Sequence, residues 1–320
     1  MAETVRITDV APRDGLQNEP GAVPTPGKAE LVRALEASGV AEVEVSSFVS
    51  PKWIPQLADA AELFAELGPT KREGVCYSAL VPNAKGMQRL VEINAEADRR
   101  LIDKAAVFTA ASETFSQKNT NATIDETIER FGPVMAMASE HGLPVRGYVS
   151  CVVACPYEGP IEPAKVADVC ERLAEIGVDE IDLGDTIGEG TPETIAAVLL
   201  AVVERLGGKR TNSRGEPYIT LHLHDTFGRA ADCVTEALAI GVRSFDGSAG
   251  GLGGCPFAST PGRRAPGNIQ TDLLVHTIED AGFQTGVDRA RLAHASAIAE
   301  RLVAAARLEA GASPDPESGP

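Results

Sequence analysis

Residues 163–192 read Pro163-Ala-Lys-Val-Ala-Asp-Val-Cys-Glu-Arg-Leu-Ala-Glu-Ile-Gly177-Val-Asp-Glu-Ile-Asp-Leu-Gly-Asp185-Thr-Ile-Gly-Glu-Gly-Thr-Pro192. Val166, Val169, Leu173 and Ile176 recur at helical spacing, and Gly177 is a stop signal. Glu180–Gly184 then reads as a short strand, and Asp185-Thr186 opens a loop. Thr191-Pro-Glu-Thr starts a second helix, which runs through Ile195, Val198, Leu199 and Val202. Helix, strand, loop and helix in one short stretch is the repeating unit of a parallel α/β fold.

The same rhythm extends in both directions. Short runs rich in β-branched residues recur at Val5–Val10, Glu42–Ser46, Gly74–Leu80, Ala105–Thr109, Pro144–Ser150, Glu180–Gly184, Tyr218–His224 and Val242–Asp246. Lys28–Ser38 is a helical segment with Leu31, Val32 and Leu35 on one face, stopped by Gly39. Eight strands alternating with helices predict a (β/α)8 TIM barrel; an open doubly wound sheet is the rival. The barrel places its chemistry just after each strand, at one face. Val287–Leu308 reads as an additional C-terminal helical segment. The expected organisation is a single barrel domain over residues 1–308 and a disordered tail over 309–320. Gly207–Pro217 is a polar loop entering a strand, so it belongs on the face away from the site.

The 320 residues carry 29 basic and 46 acidic side chains, and 29 − 46 = −17. That balance excludes broad binding to nucleic acid or to an anionic membrane, while a local basic pocket can still take an anionic small molecule. Six cysteines do not make a secreted disulfide framework and read as reduced thiols of a cytoplasmic protein. The first residues show no signal or transit pattern, and no apolar run is long enough to span a bilayer.

Several strand exits carry reactive residues. In Thr220-Leu-His222-Leu-His224-Asp225, the two imidazoles share one face of a strand and can hold a divalent metal; a pair of hydrogen-bonded core histidines is the alternative. The first strand ends in Asp9-Val-Ala-Pro-Arg13-Asp14-Gly15-Leu-Gln17-Asn-Glu19. Asp14 offers a hard oxygen ligand and Arg13 can neutralise an oxyanion, or the two form a loop salt bridge. Gly247-Ser-Ala-Gly250-Gly251-Leu-Gly253-Gly254-Cys255-Pro256-Phe257 has five glycines in eight residues. It reads as a mobile lid carrying a thiol, or as an anion-binding turn with an incidental cysteine. Asn268 stands before a helix over Ile269–Ile278 and is either its N-cap or a metal-ligating amide. Glu44, Ser46 and Ser47 lie in or after the second strand, and Asp185 follows the sixth. Cys151 and Cys155 read as packing residues near the site, and Cys76, Cys170 and Cys233 as core. Dinucleotide, P-loop and nucleophile-elbow motifs are absent from the sequence, which disfavours nucleotide-dependent redox, phosphoryl transfer and serine hydrolysis.

Together these residues resemble the hydroxymethylglutaryl-CoA lyases, within a wider metallolyase group of TIM barrels. The likeness runs from Asp9 to Ala304. It rests on Pro12–Glu19, Ser47-Phe-Val-Ser-Pro-Lys-Trp-Ile-Pro-Gln56, Arg146–Cys151, Cys155–Gly159, Leu183–Gly188, His222–Thr226 and Gly250–Ala258. The resemblance implies a carbon–carbon lyase that cleaves 3-hydroxy-3-methylglutaryl-CoA to acetyl-CoA and acetoacetate. It implies Asp14, His222, His224 and Asn268 as ligands of Mg2+ or Mn2+. Arg13, Glu44 and Cys255 become catalytic residues, and Gln17, Ser47 and Asp272 substrate contacts. Asp185 or Asp272 is the candidate acceptor of the hydroxyl proton. A homodimer is implied, with no nucleic-acid or membrane partner. Two departures stand out: twelve residues between Cys255 and Asn268, a longer stretch than is usual, and Asp272 in place of Glu. They leave open cleavage of another branched 3-hydroxyacyl-CoA. A synthase condensing acetyl-CoA with a 2-keto acid, or a non-catalytic acyl-CoA-binding protein, is a further alternative.

Overall fold

The computed structural model describes residues 3–253 and 267–311. Eight parallel strands close into a barrel. They are β1 (Arg6–Asp9), β2 (Glu42–Ser47), β3 (Cys76–Leu80), β4 (Lys104–Ala110), β5 (Val145–Ser150), then β8 (Glu180–Asp185), β9 (Ile219–Leu223) and β10 (Ser244–Gly247). Between β5 and β8 stands a two-stranded hairpin, β6 (Ala154–Cys155) and β7 (Gly159–Pro160), which the strand rhythm did not foretell. The barrel closes through β1 against β10, with Arg6 opposite Ser244 and Asp9 opposite Gly247. All eight barrel strands fall within a few residues of the runs read from the sequence. Hairpins are ruled out between parallel neighbours, so each strand is followed by a crossover.

The crossovers build an outer ring. Among the described residues the α-helices are α1 (Thr25–Ser38), α2 (Ala60–Leu67), α3 (Ala84–Glu96), α4 (Glu113–Thr120), α5 (Ile124–Glu140), α6 (Pro163–Glu175), α7 (Pro192–Arg205), α8 (Ala230–Ile240), α9 (Thr271–Asp280) and the C-terminal α10 (Arg289–Glu309). Gly39 ends α1 at φ +88°, where a side chain would be strained. Thr191 caps α7, its side chain accepting from Thr194 N–H. The helix expected over Ile269–Ile278 begins two residues later, at Thr271. Asn268 does not cap it; Asn268 pairs instead with His224 in an isolated bridge. Residues 312–320 of the expected tail lie outside the described residues. Among those described, no helix is long and apolar enough to cross a membrane.

Strand parity separates two environments. On β8, Ile181 and Leu183 point outward into the apolar layer under the helices, while Glu180 and Asp182 point inward. Barrel interiors are commonly packed with branched apolar residues. This one holds charges. Arg146, only 1% exposed, sits at the centre. Its guanidinium contacts Glu180 (2.8 Å), Asp246 (3.1 Å), Asp182 (3.3 Å) and Glu42 (3.4 Å), and donates to Thr8 Oγ1 (3.0 Å). Lys104 joins Glu42 and Glu180 at 2.6 Å each. Burial works against the Glu42 carboxylate, but Arg146, Lys104 and Arg6 hold it well below the usual range. Asp182 goes the other way: burial and the neighbouring Asp246 push its pKa well above the usual carboxylate range.

Removing one member of such a network strands the others in a low-dielectric interior. Arg146→Met is expected to lower unfolding stability by about 3–5 kcal/mol, read as a shift of the urea midpoint. Arg205→Ala, which breaks a surface contact with Asp168, is expected to leave the midpoint in place. Equal small shifts would contradict the account of the interior.

Candidate active site

A cavity of about 680 Å³ opens at the C-terminal face of the barrel. That size suits a small organic ligand. Its floor is Arg13, Asp14, Tyr148, His222 and His224, with Gln17 and Gly253 at one side. Three chain segments build this floor. Residues Ala11–Gly15 form one wide helical turn directly after β1, which turns Arg13 and Asp14 over the barrel mouth. His222 is in β9, and His224 follows one residue past its end, on the same inward face. Asn268 and Gly253 approach from beyond β10.

Arg13 is held from below. Its Nε donates to Glu44 Oε2 at 2.6 Å, and its Nη2 meets the same oxygen at 2.5 Å. Its Nη1 donates to Asp14 Oδ1 at 2.7 Å. Its guanidinium also lies over the Tyr148 ring, 5.5 Å from the centroid. The Tyr148 hydroxyl in turn accepts from Arg146 at 3.2 Å, which ties the floor to the charged interior. Glu44 is fully buried and does not line the cavity.

Asp14, His222 and His224 bring ligand-type atoms within 4.8 Å of one another. His222 Nδ1 pairs with Asp246 Oδ2 at 3.2 Å, which fixes the ring and leaves Nε2 for the other side. His224 Nδ1 is buried with no hydrogen-bond partner. Burial would raise Asp14, but Arg13 and the two imidazoles keep it below the ordinary carboxylate value. Burial, then the His222 charge, pushes His224 down to about 4, so it is neutral near pH 7. Burial opposes charge on His222 too, yet its bond to Asp246 and the charge of Asp14 lift it above the ordinary value. An anionic carboxylate and two imidazoles, one with an orphaned nitrogen, fit a divalent cation. Asn268 lies beside them. It donates from its amide nitrogen to Asp14 Oδ2 (2.8 Å) and to the Leu252 carbonyl (3.0 Å). Gly253, at φ +100°, makes this approach possible: a Cβ there would stand 2.5 Å from the Asn268 amide nitrogen.

The structure leaves other sequence candidates outside the cavity. Asp185 follows Ile181 and Leu183 on the outward parity of β8, and its Oδ2 accepts from Gly190 N–H at 2.8 Å. Burial pushes it up to about 6. Asp272 lies on α9, where its carboxylate accepts from Ser296 of α10 at 2.5 Å. Neither lines the cavity, so the position of both argues against proton acceptance from a bound substrate. Ser47 accepts from Val49 N–H at 3.1 Å, and Val49 and Ser50 line the cavity instead. Gln17 does line it, donating to Asp14 Oδ1 at 2.7 Å. Cys255 lies outside the described residues. Cys151, Cys155, Cys170 and Cys233 are buried; Cys76, expected in the core, is partly exposed.

Sequence reading missed a whole wall. Asn119, Thr120 and Asn121 at the end of α4, with Arg130 and Phe131 of α5, line one side. Trp53 stands at the mouth, 75% exposed. Trp53 belongs to the Ser47–Gln56 motif, whereas the α4–α5 wall carries no motif.

The HMGL-like family model matches residues 4–299. The mitochondrial hydroxymethylglutaryl-CoA lyase of Bos taurus is 45% identical over 293 residues, 92% of this chain and 84% of that protein. The crystal structure of an HMG-CoA lyase from Brucella melitensis superposes with a TM-score of 0.85 at 46% identity, covering 95% of this chain and 100% of that one. A baumannii HMG-CoA lyase in complex with coenzyme A and 3-methylmalate superposes at 0.82 and 33% identity, covering 99% and 98%.

The donor set makes a direct prediction. Mn2+ at a hundredfold its dissociation constant is expected to stabilise the fold by about 2.7 kcal/mol, seen as a higher melting temperature. Asp14→Ala with His224→Ala should abolish that rise. An equal rise in the double variant would place the cation elsewhere.

Proposed function

The chain belongs to the HMGL-like family, and from that premise we propose that it cleaves 3-hydroxy-3-methylglutaryl-CoA to acetyl-CoA and acetoacetate, with Mg2+ or Mn2+ as cofactor. The observation that carries this reading is the convergence of Asp14, His222 and His224 beside a buried arginine on the floor of one cavity. The names of the relatives, and the coenzyme A in one of their structures, support an acyl-CoA thioester as substrate.

Asp14, His222, His224 and Asn268 are the residues that would hold the cation. When bound there, the cation acts as a Lewis acid that lowers the pKa of the substrate's tertiary hydroxyl. Loss of that proton lets the C2–C3 bond break, and its electron pair moves onto the thioester's α-carbon. The product side is therefore an enolate, whose oxygen needs a cation beside it. Arg13 has that role: Glu44 and Asp14 fix its guanidinium in the cavity floor before substrate arrives, so little reorganisation accompanies bond breaking. Glu44 acts through Arg13. Tyr148 and Phe108 give the floor and wall apolar surface that excludes water from the carbanion. A proton must then return to the α-carbon, and Cys255 is our candidate donor, on the chemistry of its thiol and its place in the glycine-rich sequence after β10.

The hydroxyl-proton acceptor has to be sought among the cavity residues, since Asp185 and Asp272 face other elements. One reason for a different acyl chain falls away with the same finding: Asp272 contacts α10, so its missing methylene does not shape the cavity. The length of residues 256–267 is the remaining motive for another branched 3-hydroxyacyl-CoA. A cytoplasmic homodimer completes the proposal, on family resemblance and on the free thiols.

The test is a product assay. Purified protein with the named thioester and Mg2+ or Mn2+ is expected to release acetoacetate and acetyl-CoA in equal amounts, and excess chelator should stop it. Arg13→Met should lower kcat by about a hundredfold to a thousandfold, as for removal of an oxyanion donor. No product with metal present would remove the named substrate.

A further inference from the structure

One buried carboxylate takes no part in the chemistry above. Asp9 ends β1 on the outward parity, with Val5 and Ile7, and is fully buried. It does not line the cavity. Its Oδ1 accepts from Ala11 N–H at 2.9 Å. Its Oδ2 accepts from Ala249 N–H at 3.0 Å and from Thr271 Oγ1 at 2.6 Å. These three donors belong to three separate segments. Ala11 opens the turn that carries Arg13 and Asp14. Ala249 opens the glycine turn that leads to Gly253. Thr271 starts α9, three residues past Asn268.

Backbone bonds close the same knot: Val10 N–H to Gly247 O (2.9 Å), Ser248 N–H to Ile269 O (3.0 Å) and Thr271 N–H to Ser248 O (3.2 Å). On the cavity side of this knot, Asn268 meets Asp14 at 2.8 Å. From these contacts we infer that Asp9 is a positioning residue for divalent-cation binding, which sets the spacing of Asp14 against Asn268 and Gly253 from the outer side of the barrel wall. The inference rests on the cation-site reading above. Its physical basis is that ligands must be held within about 0.5 Å of the productive geometry, by partners that are themselves fixed. Without the carboxylate, two N–H groups and a hydroxyl lose a buried acceptor, and the three segments settle independently.

The experiment measures Mn2+ affinity of the full chain from the spin-resonance signal of the free ion, so it does not depend on turnover. The proteins are the parent, Asp9→Ala, Asp9→Asn and Thr271→Val, each checked for a cooperative melt above the assay temperature. Asp9→Ala is expected to weaken Mn2+ binding by about tenfold or more, the scale seen when a group orienting metal ligands is lost. Thr271→Val, which removes one of three donors and keeps the carboxylate, should weaken it by a smaller factor, and Asp9→Asn should fall between them. If Asp9→Ala does not fold, the other two variants decide. A lower melting temperature with Mn2+ affinity within about twofold of the parent in every folded variant would overturn the inference, because the brace would then serve the fold alone. A parent protein that binds no Mn2+ would overturn the cation-site reading, and this inference with it.

Discussion

A guanidinium in the middle of a closed sheet has to be matched by carboxylates on the surrounding strands, and that requirement organises this molecule. Arg146 draws Glu42 from β2, Glu180 and Asp182 from β8 and Asp246 from β10 to one point. Each of those residues can reach it only if its strand is in register and its inward parity is kept, because a one-residue slip would put the charge among the helices. The buried ion network is thus a constraint on register. Its contribution to net stability is smaller than its cost of disruption, since each charge gives up hydration to be there.

The site is the upper end of this network. Tyr148 accepts from Arg146 below and lies under Arg13 above. Asp246 contacts Arg146 on one side and orients His222 on the other. Asp246 thus serves the interior and fixes the His222 ring, while Tyr148 links Arg146 to the Arg13 guanidinium that faces the cavity. Chemistry of the proposed kind needs such rigidity: a cation site and an oxyanion-stabilising arginine must hold their spacing while the substrate's charge shifts from one to the other. The apolar packing stays outside, between strands and helices, where Ile181 and Leu183 sit.

Much of the fold was legible because its signals are local. Eight short runs and the helix stops at Gly39 and Gly177 mark the barrel. His222 and His224 announce themselves by spacing alone, and Arg13 and Asp14 by their place at a strand exit. Asp185 shows where the reading stopped short. Counting two residues at a time from Asp182 puts Gly184 inward and Asp185 outward, so parity already excluded it from the cavity. The same count marks Glu42, Glu44, Arg146, Glu180 and Asp182 as inward charges. The wall from α4 and α5 was not legible. Asn119, Asn121 and Arg130 reach the cavity through helix placement, which no local pattern encodes. Asp9 belongs to the same class: its three donors come from residues up to 262 positions away.

The central claim is that Asp14 and two imidazoles at the cavity floor share one divalent cation. Pulsed electron spin resonance of the Mn2+-loaded protein addresses this directly, because nitrogen bound to the ion modulates the echo. The account predicts nitrogen modulation from two histidines, weaker in His224→Ala and lost when His222 and His224 are both replaced. Mn2+ that binds with no nitrogen modulation, or with modulation unchanged in the double replacement, would contradict it.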